Sequence, residues 1–423
     1  MFGAWFRNAG FWVSDFVLGK GKKRKCYKDI AIHQGLVRQD RLKAILQYTI
    51  AHVPYYKNIK SPELSEFPVM TKLKFREKAE TEFLSDEFEG QNLHTVYTSG
   101  STGTPFKVVQ NAEKRNRTVC DLVYCHNRIG WKLGTKYIFI RNWVSNYKQS
   151  KLKSFMQNVY NVNIATFDDA KKKELALYLK KHKKCVLFGY ASAMKEFLLF
   201  IQREKIDCKA FKVKLIVCDS DMLSIQLKRN LEQAFECPVF NRYDNEENGL
   251  FGITKAYEEK LYLNTASIYF EILKLDSDEP VESGEIGRIV LTDLYNRAMP
   301  LIRYDTGDLG VSLEERGAIT TLEQLHGRVA GQLTATDGRA VSNVMMAAVT
   351  EPFTGIVKYQ MVQKKNYVYI LKYVGRIEES DREQLLDRLR DCFGAGEFVL
   401  EQVEDIALGK NGKYQTAINE DKV

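Results

Sequence analysis

The stretch with the greatest chemical capacity is Tyr97-Thr98-Ser99-Gly100-Ser101-Thr102-Gly103-Thr104-Pro105-Phe106-Lys107-Val108. Small hydroxyl residues alternate with glycines, and a lysine closes the run. Glycines let backbone N–H groups turn inward and approach an anion closely, while the hydroxyls and the ammonium add further donors. The ligand that suits such a loop is a polyphosphate. The spacing is not G-x-x-x-x-G-K-[ST], which excludes the P-loop. A Ser/Thr/Gly run also suits an ordinary surface turn, so the phosphate reading requires nucleotide-binding groups elsewhere in the chain.

Three further stretches meet that requirement. Asn241-Arg242-Tyr243-Asp244-Asn245-Glu246-Glu247-Asn248-Gly249 combines an aromatic ring with carboxylates, the type of hard oxygen ligand that Mg²⁺ shares with phosphates. Pro300-Leu301-Ile302-Arg303-Tyr304-Asp305-Thr306-Gly307-Asp308 ends on a carboxylate able to accept two hydrogen bonds from a vicinal diol such as ribose, behind a Thr-Gly turn expected to expose it. Leu408-Gly409-Lys410-Asn411-Gly412-Lys413-Tyr414-Gln415 sets two lysines among glycines near the end of the chain. Read alone, that last segment is also what an ordinary mobile terminus looks like.

The elements that must position these groups follow from pattern. With 423 residues and 44% hydrophobic content, the chain can bury a large core and is long enough for two domains. Strand-like runs at 136–140, 185–188 and 215–218 alternate with helical patterns near 112–128, 171–182, 191–205 and 224–235. That alternation predicts an α/β architecture with a mostly parallel sheet covered by helices. A strand is expected at 238–240, just before the Tyr243 segment, and an amphipathic helix at 40–58 closed by Val53-Pro54-Tyr55-Tyr56. His326-Gly327-Arg328 marks the expected boundary between an N-terminal domain, 1–326, and a small α+β C-terminal domain, 327–423. In the latter, 357–362 and 367–373 form a predicted hairpin, 381–392 a helix with Leu385, Leu386 and Leu389 inward, and 397–403 a last strand.

Composition limits the partners. The net charge of +9 favours anionic ligands such as nucleotides or a phospholipid surface. The basic stretch 171–184 has leucines between its charges rather than aromatics, so it reads as a solvated helix face and not as a nucleic-acid groove. The eight cysteines include no C-x-x-C pair and no His/Cys cluster, which points away from zinc and disulfides and toward a reducing, cytoplasmic setting. At the N-terminus Phe2, Trp5, Phe6, Ala9, Trp12, Val13 and Phe16 recur at helical spacing, followed by the basic cluster 20–25. Arg7 and Asp15 interrupt the apolar run, so residues 1–25 are neither a secretory signal nor a membrane span. Two readings stay open: a helix lying in a membrane interface, which would place the protein peripherally on the inner face, or a helix packing its aromatic face on the protein's own core.

Taken together, these segments resemble the adenylate-forming enzymes. Residues 98–105 match their phosphate loop [ST]-S-G-[ST]-T-G-x-P, Tyr243–Glu247 is similar to Y-G-x-[TS]-E, 303–308 to RY-x-TGD, 326–328 to the hinge GR-x-x-D, and 412–413 to the terminal GK loop. Val53-Pro54-Tyr55-Tyr56 and Phe67-Pro68-Val69-Met70-Thr71-Lys72 further resemble the VPyY and fPv-x-x-K segments of the phenylacetate–CoA ligase and CapK-like branch. The resemblance spans about residues 42–415 and implies an AMP-forming acyl ligase. It implies that Thr98, Ser99, Gly100, Ser101, Thr102, Gly103 and Lys107 hold the β/γ-phosphates of ATP and that Tyr243 stacks on adenine. It also implies that Glu247 binds Mg²⁺, that Asp308 and Arg328 hold the ribose, and that Lys413, with Lys410 as second choice, acts in adenylation. Thr102, Glu247 and Lys413 are the implied catalytic residues. The implied partners are a small-molecule carboxylic acid and an acyl acceptor: coenzyme A, or an amine or hydroxyl of a surface-polysaccharide precursor. Segments 140–147, 189–193 and 217–222 are implied to line the acyl pocket. Two departures from the pattern, Asp244 in place of Gly or Ser and Gly331 in place of an acid, leave as alternative a non-catalytic nucleotide-binding or scaffolding protein.

Overall fold

In the computed structural model, the described residues are 2–97, 106–141, 151–314, 317–328, 333–341, 343–350, 352–353, 355–407 and 416–420. The largest sheet has eight strands. From one edge inward, Val159–Asn163, Tyr137–Arg141, Val186–Tyr190, Leu215–Asp219 and Val239–Asn245 run parallel in that spatial order. Gly249–Thr254, Leu261–Leu263 and Thr321–Leu322 then extend it antiparallel. Val186–Tyr190 and Leu215–Asp219 are buried along their whole length, as strands covered on both faces must be. Helices Ala112–Arg128, Asp169–Lys181, Ala191–Arg203 and Ile225–Phe235 provide that cover. All four lie within a few residues of their predicted spans.

Local chemistry sets the boundaries. Helix Gln39–His52 buries Leu42, Ile45, Leu46 and Thr49 and stops short of residue 58, because Val53 precedes Pro54 and is held extended at φ −109°, ψ 116°. The Asn111 side chain accepts a hydrogen bond from the Lys114 N–H, capping Ala112–Arg128, and the Ser224 hydroxyl does the same for Ile225–Phe235. Gly189 sits where strands crowd: a Cβ there would lie 2.0 Å from the Ile140 carbonyl oxygen.

A second, antiparallel sheet of four strands was not foreseen in this form. Ile268–Leu273, Ile286–Asp293, Tyr304–Val311 and Gln324–Arg328 pair in sequence order. The segment carrying Asp308 is therefore a strand rather than a free turn. Likewise Val239–Asn245 continues through Tyr243, so the sequence expectation of a strand ending at 240 is too short. In the C-terminal part the predicted hairpin forms as Ile356–Lys364 and Val368–Gly375, with helix Glu379–Phe393 packed on it. Glu397–Gln402 is not the last strand, since Ala417–Asn419 adds in parallel on the other side of the hairpin. All eight cysteines are free thiols.

Candidate functional site

The phosphate-loop candidates are presented by a hairpin. His94–Tyr97 and Lys107–Gln110 pair antiparallel, with Tyr97 opposite Lys107 as the pair flanking the connection. Thr98, Ser99, Gly100, Ser101, Thr102 and Gly103 lie outside the described residues. Lys107 is described: its ammonium is 2.7 Å from Glu80 Oε2, and that contact raises its pKa. Both side chains are exposed, so the pair is weak and readily exchanged for a phosphate.

Behind the hairpin three motifs converge. The Met70 N–H donates to the Arg303 carbonyl and the Asp305 N–H to the Met70 carbonyl, both at 2.9 Å, which sews the segment 67–72 onto the strand beginning at Tyr304. This brings Lys72 Nζ to 2.6 Å from Glu247 Oε1, and the Tyr304 hydroxyl donates to the same oxygen at 2.9 Å. Glu247 is only 2% exposed and Tyr304 is fully buried. A carboxylate this deep requires such partners to remain charged. Its turn is fixed from behind: Gln110 Nε2 donates to the Glu247 carbonyl at 2.9 Å and Lys114 Nζ to the Asn248 carbonyl at 2.7 Å. Lys114, itself fully buried, is neutralised by Asp293 Oδ2 at 2.6 Å.

Tyr243 and Asp308 form a second pair. The register of Ile286–Asp293 against Tyr304–Val311 jumps from Leu309 opposite Arg288 to Asp305 opposite Val290, leaving 306–308 as a bulge. Gly307 adopts φ +77° there, the Asp305 carboxylate accepts its N–H, and the Thr306 hydroxyl accepts the Asp308 N–H. A bulge re-aims a side chain, and here it sends Asp308 to Tyr243, whose hydroxyl donates to Asp308 Oδ2 at 2.7 Å. The Tyr243 ring is steadied edge-on by Phe251 at 4.8 Å. Arg328 lies opposite Asp308 in the next strand. Residues 329–332, where the hinge acid was sought, and 408–415, with Lys410 and Lys413, lie outside the described residues.

The segments expected around the acyl group meet at the carboxyl ends of the parallel strands, where open α/β sheets place their ligands. Ile140 pairs with Gly189, Gly189 with Cys218, and Tyr190 with Asp219; residues 142–147 lie outside the described residues. Asp221 accepts the Ala191 and Ser192 N–H groups and so caps the helix that starts there. The departure at Asp244 has a local answer. Arg242, buried over the Phe188 ring, reaches Asp244 Oδ2 and Asp219 Oδ2, each at 2.8 Å.

Sequence reading assigned no role to Lys72, Tyr304, Lys114 or Asp293. Lys72 and Tyr304 stood inside motifs already quoted, whereas Lys114 and Asp293 are linked only by the fold and left no sequence signal. A hard cation finds one carboxylate here, and among the described residues no group of three His, Cys, Asp or Glu side chains could hold a metal. Lys72 and Tyr304 both act on Oε1 of Glu247. A single carboxylate fits Mg²⁺, which completes its shell from phosphates and water, and does not fit a metal that needs an all-protein cage.

Comparison with known proteins shows what the chain is similar to. A model of the CapK C-terminal domain matches residues 333–420. Protein CapK of Staphylococcus aureus is 25% identical over 380 residues, covering 86% of this chain and 82% of that protein. The crystal structure of 2-hydroxyisobutyryl-CoA ligase in its postadenylation state, in complex with R3-HIB-AMP, superposes with a TM-score of 0.68 at 17% identity over 90% of this chain and 89% of that one. The same enzyme in its thioesterification state, with 2-HIB-AMP and CoA, gives 0.54 at 17% identity over 90% and 89%. ATP-bound MatB from Rhodopseudomonas palustris gives 0.53 at 16% identity over 76% of this chain and 66% of that one. Residues 333–420 thus match the CapK C-terminal domain, most of the chain is similar to protein CapK, and its fold is that of the acyl-CoA ligase structures.

Proposed function

We propose that the protein activates a carboxylic acid with ATP and passes the acyl group to an acceptor. The observation that carries this reading is the convergence of Lys72, Glu247 and Tyr304 beside the hairpin that presents residues 98–105, with Tyr243 and Asp308 alongside. In the first step a substrate carboxylate oxygen forms a bond to the α-phosphorus, the bond to the bridging oxygen breaks, and pyrophosphate leaves with the electron pair. In the second, a thiol, amine or hydroxyl attacks the acyl carbon and AMP departs. The chain's contribution is positioning and charge stabilisation.

Loop residues 98–103 and Lys107 hold the β/γ-phosphates. Asp308, kept in place by the Tyr243 hydroxyl, receives the ribose with Arg328, and the Tyr243 ring faces the base. Glu247 holds Mg²⁺, which offsets phosphate charge when bound. Lys413 meets the charge that develops between the α-phosphate and the carboxylate. Residues 327–423 act as a lid. Polar contacts join it to helix Ala191–Arg203: Lys195 Nζ donates to the Ile356 carbonyl at 3.1 Å, and Lys358 pairs with Glu196 at 3.5 Å. The higher similarity to the postadenylation state of the hydroxyisobutyryl ligase than to its thioesterification state supports the same reading.

The acceptor is coenzyme A or, following the CapK-like relationship, an amine or hydroxyl of a surface-polysaccharide precursor. The non-catalytic alternative drew on Asp244 and Gly331; Arg242 compensates the charge of the first, and the second lies outside the described residues. Carboxylate-dependent ATP–pyrophosphate exchange, measured across aryl, fatty, hydroxy and amino acids, tests the proposal. Exchange restricted to one acid class identifies the substrate. ATP binding with no exchange across the panel favours the non-catalytic alternative.

Asp308→Ala is expected to weaken ATP binding by roughly 10- to 100-fold, the equivalent of about 1.5–3 kcal/mol for hydrogen bonds to a charged group. The apparent affinity for the carboxylic acid should change little. Calorimetric titration of each ligand separates the two, and equal losses for both would contradict the ribose role.

A further inference from the structure

We infer that the N-terminal helix, together with a second short helix, forms a docking surface for an anionic lipid bilayer; this does not depend on the adenylation chemistry. Helix Phe2–Val17 lies with its apolar side outward. Trp5, Phe6, Val13, Phe16 and Val17 are all exposed, Phe16 to 75%, and Leu18 follows at 82%. At 100° per residue these positions share one face with Ala9 and Gly10, and that face carries no charged residue.

The inward side bears what a soluble protein normally turns outward. Asp15 is 2% exposed and accepts the N–H groups of Lys23 and Arg24, both at 3.0 Å, capping helix Lys22–His33. Trp12 packs edge-on against Tyr27 at 5.5 Å. Ala4 lies over Gly134, where a Cβ would come within 2.5 Å of its carbonyl oxygen. The helix is thus seated in a fixed orientation, and most of its aromatic face does not pack on the core, which removes that sequence-level reading.

The patch extends beyond one helix. Arg7 donates to the Phe155 carbonyl at 3.3 Å and sits 5.3 Å from the centre of its ring, joining helix Lys151–Gln157, where Leu152, Phe155 and Met156 are also exposed. Isolated exposed apolar side chains need no explanation, but a two-helix patch does.

Charge decides the occupant. Residues 1–28 contain seven Lys and Arg and one acid, Asp15, which is buried as a cap. Lys20, Lys22, Arg24, Lys25 and Lys28, which follow the helix in the chain, are exposed. Aromatics with flanking cations match the boundary between acyl chains and anionic headgroups, whereas a second copy of this chain would bring the same positive cluster against itself. No described helix is long and apolar enough to cross a membrane, so the helix lies in the interface plane.

Flotation of the full chain with phosphatidylcholine vesicles, with and without phosphatidylglycerol, tests this. The expected result is binding to phosphatidylglycerol vesicles that weakens as salt rises. Phe6→Ser combined with Phe16→Ser should reduce it by at least roughly a hundredfold, from the apolar area of two exposed rings. Lys22→Glu with Arg24→Glu and Lys25→Glu should do likewise by removing the charge attraction. These positions are exposed, so an unchanged thermal midpoint verifies folding. Absence of vesicle binding, or binding indifferent to both variants, overturns the proposal. So does concentration-dependent dimerisation, in sedimentation velocity without vesicles, that Phe6→Ser with Phe16→Ser abolishes, because it assigns the face to a second copy.

Discussion

Lys413→Ala is expected to slow adenylate formation by about 10²–10³-fold while leaving the fold intact. Adenylation gathers negative charge at the α-phosphate and at the attacking carboxylate, and a cation brought in by the lid is worth most at that moment. Such a group acts in the transition state and contributes little to ground-state binding, so the loss belongs in kcat with a nearly unchanged KM for ATP. Residues 408–415 lie between Ala407 and the strand Ala417–Asn419, which pairs with Ile356–Lys364 independently of the lysine, so thermal stability should match the parent protein. Pyrophosphate exchange with the identified acid provides the measurement. Full exchange in Lys413→Ala together with loss in Lys410→Ala would transfer the role to Lys410; full exchange in both would remove the terminal loop from the chemistry.

Glu247→Gln is expected to lower exchange on the order of 10³-fold, since a metal's charge stabilisation amounts to several kcal/mol and each tenfold in rate is about 1.4 kcal/mol. The Mg²⁺ concentration needed for half-maximal activity should rise as well. Glutamine preserves volume and can still accept from Tyr304, so the change isolates the charge. Its structural cost falls on Lys72, which loses its anion while remaining 24% exposed. Partial solvation of the ammonium keeps that cost to about 1–3 kcal/mol rather than the larger figure for a fully buried orphan charge. Thermal melting and exchange at several Mg²⁺ concentrations separate the two effects. An unchanged metal dependence would mean that Glu247 is held by Lys72 and Tyr304 for structural reasons alone.

The pairing of Lys72 with Glu247 also shows where sequence reading fell short. Lys72 stood in a segment whose pattern was legible but whose chemistry was not, because its partner is far away in the chain and reaches it only through the strand beginning at Tyr304. Asp244 presents the converse case. In sequence it is an extra negative charge within a nucleotide-related motif, and only the fold reveals Arg242 lying between Asp244 and Asp219. The N-terminal helix is similar: periodicity showed that it has an apolar face, but the direction of that face depends on whether Asp15 or Phe16 turns inward.

By itself the sequence determined the alternation of helices and buried strands, the order of the nucleotide-related motifs, the family they resemble, and the carboxylates and lysines worth testing. These are properties of neighbouring residues, expressed through hydrophobic period, proline and capping side chains, and short loops whose composition limits what they can bind. Only the tertiary structure decided that Asp308 leaves a strand at a bulge and meets Tyr243, and that Glu247 is buried against Lys72 and Tyr304. It alone settled that the first helix turns its aromatic face outward. Those outcomes depend on contacts between distant segments, where burial makes each charge seek a partner, and no local pattern encodes which partner it finds.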